Sequence, residues 1–192
     1  MDKFKFGALN TNNEDIKYEY NDSWYVEEYP NFKRMVIAPK ENQIDLMLEV
    51  AKSFELPLAI LYVLVVPRLD TNEPGRYQCP ARLAYRDIEI FFNKFKEFFE
   101  TDGRHHLWIC SANNKGIKQL LVYDRHNIIY VYDDINKITD MLEKKNFKKA
   151  EIKLPFPHMH MYNSENDIFE KEIMEYWDWI YSPLKEDDEN TN

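Results

Sequence analysis

Residues 107–132 read LWICSANNKGIKQLLVYDRHNIIYVY, and this stretch decides the class of fold. It holds three apolar segments, at 107–111, 119–123 and 128–132, which are rich in the aliphatic, β-branched and aromatic residues that strands prefer. The turns between them, 113–116 and 124–127, are too short for a crossover connection. The stretch therefore predicts three strands that form an antiparallel meander.

Upstream of the meander, the pattern predicts a strand, a helix and a second strand. Phe32–Ala38 is largely apolar and is followed by Pro39. A helix over 41–54 comes next, because its apolar residues recur at helical spacing, and the apolar run 58–66 suits a strand covered on both faces. This order favours a βαβ unit, which is right-handed if its strands are parallel. Together with the meander it predicts an α+β fold with a mixed β-sheet.

Three more helices are predicted, so that three to four helices pack on this sheet. The helix over 85–100 has one face of large apolar side chains, whose period matches a buried face. Helices over 134–145 and 164–181 follow, with Ser164 as the N-cap of the last helix and Pro183 as its stop. On that helix Trp177 and Trp179 are about 160° apart, so one of them lies on a less buried flank. The apolar stripe of the helix over 85–100 consists of Ile88, Phe91, Phe92, Phe95, Phe98 and Phe99.

The domain organisation expected from 192 residues is a single globular domain over 1–192. Residues 1–31 show little periodicity and predict an irregular or short-stranded N-terminal arm, and residues 184–192 predict an acidic flexible tail. A long loop is predicted over 67–80, and loops of this length are usually functional or flexible. A short strand is expected near 151–154.

The composition points to a cytoplasmic protein. No apolar segment of the signal-peptide type follows Met1, and the longest apolar run is too short to cross a bilayer. The two cysteines, Cys79 and Cys110, are therefore expected to stay reduced. A membrane location is not expected.

The charge distribution favours a protein partner with a basic surface. The net charge is −9, and acidic residues outnumber basic ones in both 1–30 and 163–192. Such a surface attracts a basic partner, whereas nucleic-acid binding needs clustered Lys and Arg and is not expected. The 13 tyrosines suit half-wet contact surfaces.

Six residues are predicted to contribute to such a surface, because Arg, Tyr and Trp are enriched at binding hot spots and acids supply charge. They are Arg76 and Tyr77 in the long loop, and Glu172, Glu175, Asp178 and Trp179 in the last helix. The first hypothesis is thus a non-enzymatic, soluble binding protein with an acidic, aromatic-rich surface. By composition, it has the character of a bacterial toxin-immunity protein. No catalytic motif, phosphate loop or dinucleotide fingerprint is present, so a non-enzymatic role is favoured over an enzymatic one and no cofactor is expected.

The histidines support an alternative hypothesis, a metal-dependent hydrolase. All five lie after residue 104, and His158 and His160 alternate in LPFPHMHMY, where Pro155 and Pro157 favour an extended backbone. Alternate side chains of an extended segment point the same way, so two imidazoles are offered to one ion. Asp124, His126 or His105 is the predicted completing ligand, with Asp124 and His126 favoured. The competing interpretation is that the His, Met and Tyr side chains pack against the sheet.

Other polar clusters have simpler interpretations. Adjacent residues of a strand face opposite sides, so we expect one of His105 and His106 to be exposed and the other to anchor a turn. His126 as a general base oriented by Asp124 is disfavoured, because residues two apart rarely pair in that manner. A third hypothesis, a regulatory domain with a ligand pocket lined by tyrosines, also stays open.

Overall fold

The computed structural model describes residues 3–10, 14–113 and 116–189. The predicted turn over 113–116, the tail over 184–192 and the extreme N-terminus fall partly outside these ranges. Twelve strands lie within the described ranges. They are β1 (Phe6–Leu9), β2 (Asp15–Lys17), β3 (Ser23–Tyr29), β4 (Phe32–Ala38), β5 (Leu58–Leu64), β6 (Gly75–Gln78), β7 (His105–Asn113), β8 (Gly116–Tyr123), β9 (Ile129–Tyr132), β10 (Lys148–Lys149), β11 (His158–His160) and β12 (Ile180–Ser182).

Two sheets organise these strands, and the fold is α+β. The large sheet has the order β10-β3-β4-β9-β8-β7-β5-β6-β12, and the small sheet has the order β11-β1-β2. The predicted meander is confirmed, since β7, β8 and β9 pair antiparallel in sequence order. The large sheet is mixed, because β10 runs parallel to β3, whereas every other pair of neighbouring strands in this sheet is antiparallel.

The expected strand–helix–strand unit is present in a modified form. β4 and β5 run in the same direction, because four antiparallel pairings separate them in the sheet. The helix between them therefore crosses over the three meander strands, which lie between β4 and β5. The meander buries its edges against strands that precede it in the chain, which leaves fewer exposed edges.

Six helices lie in the described ranges, and the main core forms between helices and one face of the large sheet. The predicted phenylalanine stripe is confirmed, because all six of its side chains are at most 1% exposed. Its helix is divided at Phe95, whose backbone leaves helical geometry. The helices are α1 (Gln43–Ala51), α2 (Tyr85–Lys94), α3 (Lys96–Thr101), α4 (Ile135–Lys144), α5 (Asp167–Met174) and α6 (Glu186–Glu189), with a 3-10 turn at Ser164–Asn166. No helix in the described ranges has the length and apolar character needed to span a bilayer.

The predicted last helix over 164–181 is wrong in its second half. The α5 helix ends at Met174, and the chain turns back to form β12. Trp179 stabilises this end, because its indole Nε1 donates a hydrogen bond to the carbonyl of Ile173 at 2.7 Å. Pairing of β12 with β6 supplies backbone hydrogen bonds to an edge strand, and this tertiary gain outweighs helix propensity.

Three other segments differ from the sequence-based expectation. The loop over 67–80 contains β6, and the strand expected near 151–154 is absent from the described structure, which has β10 and β11 on either side of that segment. Residues 1–31 contain β3, a seven-residue strand of the large sheet. Within the expected tail, Asp188 is buried and forms an ion pair with Arg76.

A buried ionic network ties α5 to the start of β7. Arg104, Asp102 and Glu170 are all fully buried. The Arg104 guanidinium donates to Asp102 at 2.7 and 2.9 Å and to Glu170 at 2.5 Å. Glu170 also accepts from the backbone N–H of Arg68 and Leu69. Because each charge has several partners, the network holds the chain just before β7 and the chain just after β5 in place.

The second face of the large sheet is covered only in part. A smaller core there consists of Phe6, Tyr20, Val36, Ala38 and Ile128. The small sheet contributes to this core through Phe6 of β1. The sites described below lie on this second face.

Candidate metal centre

The turn between β8 and β9 is built by Asp124. Its Oδ1 accepts hydrogen bonds from the backbone N–H of His126 and Ile128, both at 2.9 Å. Asn127 adopts a left-handed backbone conformation with φ of 64°, which Asn tolerates. The turn thus presents His126 in a buried position, with 5% of the residue exposed.

The strand β11 brings the second and third histidines to the same place. The segment is extended and pairs antiparallel with β1, so that His160 lies opposite Phe6 and His158 opposite Ala8. The expectation that the two imidazoles share one side is confirmed, because both rings lie within 6 Å of the Phe6 ring. Both side chains are partly exposed.

Gly103 lets this segment approach the body of the protein. A Cβ atom at this position would lie 2.9 Å from the Cβ of His160 and 2.9 Å from the carbonyl oxygen of Lys5. The Gly103 N–H donates to the Met161 carbonyl at 2.8 Å, and the Met161 N–H donates to Lys5. The position of β11 therefore depends on the absence of a side chain at Gly103.

His126, His158 and His160 converge. One ring nitrogen of each lies within 4.8 Å of those of the other two. The ring centroids are 4.8 to 5.7 Å apart. Three nitrogens around a tetrahedral zinc ion are separated by about 3.4 Å, so ring shifts of the order of 1 Å bring them to coordination distance.

The hydrogen bonds of the three rings fix their tautomers. Nδ1 of His126 lies 3.0 Å from Oδ2 of Asp124, Nδ1 of His158 lies 3.1 Å from the carbonyl of Pro155, and Nδ1 of His160 lies 3.1 Å from the carbonyl of Arg125. A carbonyl or an ionised carboxylate only accepts hydrogen bonds, so each Nδ1 must donate. In the neutral imidazoles the lone pair is then on Nε2, the atom that binds a metal.

The local electrostatics favour a neutral His160 and an ionised Asp124. Burial, reinforced by the charge of Arg125, lowers the pKa of His160 to about 2. Burial by itself raises the pKa of Asp124, but the hydrogen bond from His126 and the nearby histidines outweigh it, so that its pKa is lowered. Metal binding requires deprotonated ligands, and His160 provides one at neutral pH.

The four residues of the alternative hypothesis thus divide into two roles. Three histidines supply ligand nitrogens, whereas Asp124 holds His126 by its Nδ1 and is not part of the converging group. The expectation that residues two apart do not pair is wrong here, because the turn brings the Asp124 carboxylate back onto the His126 ring. A carboxylate that orients a ligating histidine is typical of zinc sites.

Aromatic residues form one wall of the centre. The Phe6 ring lies 5.3 Å from that of His126, and the rings of Tyr18 and Tyr20 pack on its other sides. The Tyr130 hydroxyl lies 3.5 Å from Asp124 Oδ2. Phe6 and Gly103 were not singled out in the sequence, and no local motif marks either residue, because their contacts span most of the chain.

His105 and His106 do not join this centre. The expectation that one is exposed is wrong, since they are 0% and 2% exposed. His105 packs between the rings of Tyr62, Phe98 and Phe99. Burial lowers the pKa of His106 to about 4 and that of His105 well below its ordinary value. Adjacent side chains of β7 do point to opposite faces of the sheet, but both faces are covered at this point, so neither histidine is exposed.

The six residues predicted for a binding surface lie in different environments. Trp179 is half-buried against Phe91 and Trp177, and Glu172 forms an ion pair with Lys94. Tyr77 donates to the Glu73 carbonyl at 2.6 Å, and Arg76 pairs with Asp188. Glu175 and Asp178 are exposed. The two cysteines, Cys79 and Cys110, are free thiols whose pKa is raised by burial.

Comparisons with known protein families, with curated proteins and with solved structures find no match. The class that fold and site define is therefore an α+β protein with a candidate three-histidine centre. Its function has to be argued from the site itself.

Proposed function

We propose that the three-histidine centre binds a divalent transition metal, with zinc as the best fit, and that the chain is a metal-dependent hydrolase. The observation that carries this proposal is the convergence of three histidines whose Nδ1 atoms each face a hydrogen-bond acceptor. A packing role alone does not require a ring nitrogen of each of three histidines to lie within 4.8 Å of the other two. Neutral imidazole ligands suit zinc and disfavour magnesium and calcium, which prefer oxygen.

The number of protein ligands favours a catalytic rather than a structural site. Structural zinc sites are closed by four protein ligands, whereas catalytic sites have three and keep one position for water or substrate. Zinc at such a site lowers the pKa of its bound water, which supplies a nucleophile for attack on an ester, amide or phosphoryl centre. In this chain Asp124 orients His126, the turn carbonyl of Arg125 orients His160, and Phe6 excludes water from one side.

Metal analysis of untagged protein tests the binding step. We expect about one equivalent of zinc to bind, and single substitutions His158→Ala and His160→Ala to abolish binding while the protein stays folded. Glu151→Gln, an exposed change shortly before β11, is the matched control and should bind as the parent protein does. Absence of zinc, cobalt and manganese binding in calorimetry excludes the centre.

Hydrolysis by the zinc-loaded protein tests the catalytic step. Activated carboxylic esters and phosphodiesters serve as probes, and turnover should require zinc, disappear with a chelator and be absent in His158→Ala. Zinc binding without turnover of either probe class argues against a hydrolase and leaves a metal-binding protein.

A second candidate is the binding protein with an acidic, aromatic-rich surface, and one feature of the second sheet face favours it. Tyr29 and Phe32 stack at 4.6 Å and are 42% and 47% exposed. The Arg34 guanidinium lies 4.5 Å from the Tyr130 ring and donates to the Tyr132 hydroxyl. Exposed Tyr and Phe beside a partly exposed Arg on one sheet face are typical of protein interfaces. With a net charge of −9, a partner with a basic surface, such as a toxin neutralised by an immunity protein, fits this candidate.

Co-purification from the native host tests this second candidate. Binding to a basic protein should weaken as salt rises and should be lost in the double variant Tyr29→Ala, Phe32→Ala. Ile90→Ala, an equally exposed apolar change on α2, is the control. A captured partner that binds both variants equally well excludes this face as the interface.

A further inference from the structure

An open groove lies on the second face of the large sheet, over β5, β7 and β8. Its volume is about 370 Å³, which falls in the range of small-molecule sites. Ile117, at its rim, is 61% exposed. The apolar lining consists of Ala59, Leu61, Trp108, Cys110 and Leu120.

One end of this groove is basic. Arg76 and Lys185 line it, together with the polar side chains of Gln78 and Ser182. The Arg76 guanidinium stacks on the Trp108 ring at 4.7 Å and its side chain is 12% exposed. Lys185 is exposed, and its ammonium forms no ion pair with the described part of the chain. An apolar floor that ends at two cations is complementary to an amphipathic anion.

The chain itself shows that a carboxylate fits this end. Asp188 of α6 accepts from Nη1 of Arg76 at 2.8 and 3.1 Å, and its side chain is 2% exposed. The same carboxylate accepts the backbone N–H of Lys185 at 2.7 Å. A ligand carboxylate at this end is therefore attracted by Arg76 and Lys185 and repelled by Asp188.

We infer that the groove binds a medium-chain alkyl carboxylate, with the alkyl chain on Leu61, Trp108 and Leu120 and the carboxylate between Arg76 and Lys185. The groove residues lie on β5–β8, β12 and the segment after β12, whereas the three histidines lie on the β8–β9 turn and β11, so the groove shares no residue with the proposed metal centre. The floor suits an alkyl chain, because Arg76, Gln78, Ser182 and Lys185 come from β6, β12 and the segment that follows β12, at one edge of the sheet.

Cys110 provides a local measurement of binding in the full-length protein. It lies in the groove, whereas Cys79 is 2% exposed and serves as the internal reference. Decanoate should slow the reaction of Cys110 with a thiol reagent in a saturable manner, and calorimetry should give the dissociation constant. Decanol, which has the same chain and no charge, should protect Cys110 at least tenfold less well at equal concentration, because it cannot pair with the cations.

Three substitutions locate the carboxylate. Arg76→Gln should weaken decanoate binding about tenfold, and Lys185→Gln about threefold, because Lys185 is solvent-exposed. Asp188→Asn keeps an acceptor for the Lys185 N–H and removes the competing charge, so it should tighten binding several-fold. Lys137→Gln, an exposed lysine on α4, is the matched control and should leave the dissociation constant unchanged.

Several outcomes overturn this inference. They are the absence of Cys110 protection by decanoate, equal protection by decanol, and unchanged decanoate binding in both Lys185→Gln and Asp188→Asn. Lys185 is exposed and forms no ion pair with the described residues, so Lys185→Gln keeps the test decisive even if Arg76→Gln or Asp188→Asn lowers the stability of the fold.

Discussion

The two groups of histidines in this protein have opposite roles. His105 and His106 are enclosed on β7. Among the described residues, both ring nitrogens of His105 and Nε2 of His106 lack a hydrogen-bond partner. His126, His158 and His160 each have an acceptor at Nδ1 and converge at a partly exposed point. The same side chain is thus a neutral packing element in one place and a candidate ligand in the other. What surrounds the ring, rather than its presence in a cluster of histidines, sets its chemistry.

Removal of one converging histidine should have the largest effect on this contrast. His158→Ala deletes a ligand and should weaken zinc binding by more than about 100-fold, since loss of an outer partner alone costs about 10-fold to 100-fold. His106→Gln, in the other group, should leave zinc affinity within about threefold. Zinc titrations of both variants by calorimetry check this prediction. Similar losses in both variants would mean that the two groups are not functionally distinct.

Acid should destabilise the metal-free protein through the enclosed group. Burial lowers the pKa of His106 from 6.5 to about 4, so the unfolded chain takes up its proton at a higher pH than the folded one does. The stability contribution is therefore complete above pH 6.5 and is lost as the pH falls from 6.5 towards 4, by about 3 kcal/mol in total. Urea unfolding at several pH values measures it, and His106→Gln should flatten the dependence. A parent protein as stable at pH 5 as at pH 7.5 contradicts the prediction.

The substitution Asp124→Asn tests how far the turn supports the converging group. An amide is a weaker acceptor for the His126 Nδ1–H than a carboxylate, so zinc affinity should fall about 10-fold to 100-fold. Asn keeps an oxygen for the N–H groups of His126 and Ile128, so the turn should persist. The measurement is zinc affinity together with thermal unfolding, and Asp134→Asn, at the N-cap of α4, is the control. Unchanged affinity assigns Asp124 to the turn alone.

Gly103→Ala should have the smallest effect of these changes. The new Cβ meets His160 Cβ and the Lys5 carbonyl at 2.9 Å, so β11 must shift. We expect a loss of about 1 to 3 kcal/mol in stability, as is usual for overpacking, and about tenfold weaker zinc binding. The comparison variant is Ala59→Gly. Gly116→Ala is not suitable, because Gly116 has a φ of 120° and any side chain there is strained. A gain in zinc affinity would show that β11 is held too far from the turn.

Much of the fold was predictable because it depends on local patterns. The strand Phe32–Ala38 has the predicted bounds, the β8–β9 turn of the meander is set by Asp124 and Asn127, and the phenylalanine stripe has the period of a buried helix face. The second half of the last helix was wrong, because pairing of β12 with β6 is a long-range event that no local pattern announces. The same holds for β6 itself, which is short and lies inside a loop-like composition.

The candidate site was predictable only in part. The alternation of His158 and His160 directly after Pro155 and Pro157 indicates that the two rings share a side, and the structure confirms it. Their approach to His126 was not predictable, since it requires β11 to pair with β1 at the opposite end of the chain and to lie beside the β8–β9 turn. The pairing of Asp124 with His126 was disfavoured by the sequence for a different reason, the spacing of only two residues. The turn folds back tightly enough to bring residues two apart into hydrogen-bond contact.

By itself, the sequence determined the class of fold, the antiparallel meander, the aromatic helix face and the parallel display of two histidines, because each follows from the spacing of neighbouring residues. Only the tertiary structure decided which histidines meet, which are enclosed and where the open groove with its two cations lies. The reason is physical. Burial, hydrogen-bond acceptors and charge act over a few ångströms in space, and the residues that supply them here come from β1, the β8–β9 turn, β11 and α6, which chain spacing alone does not relate.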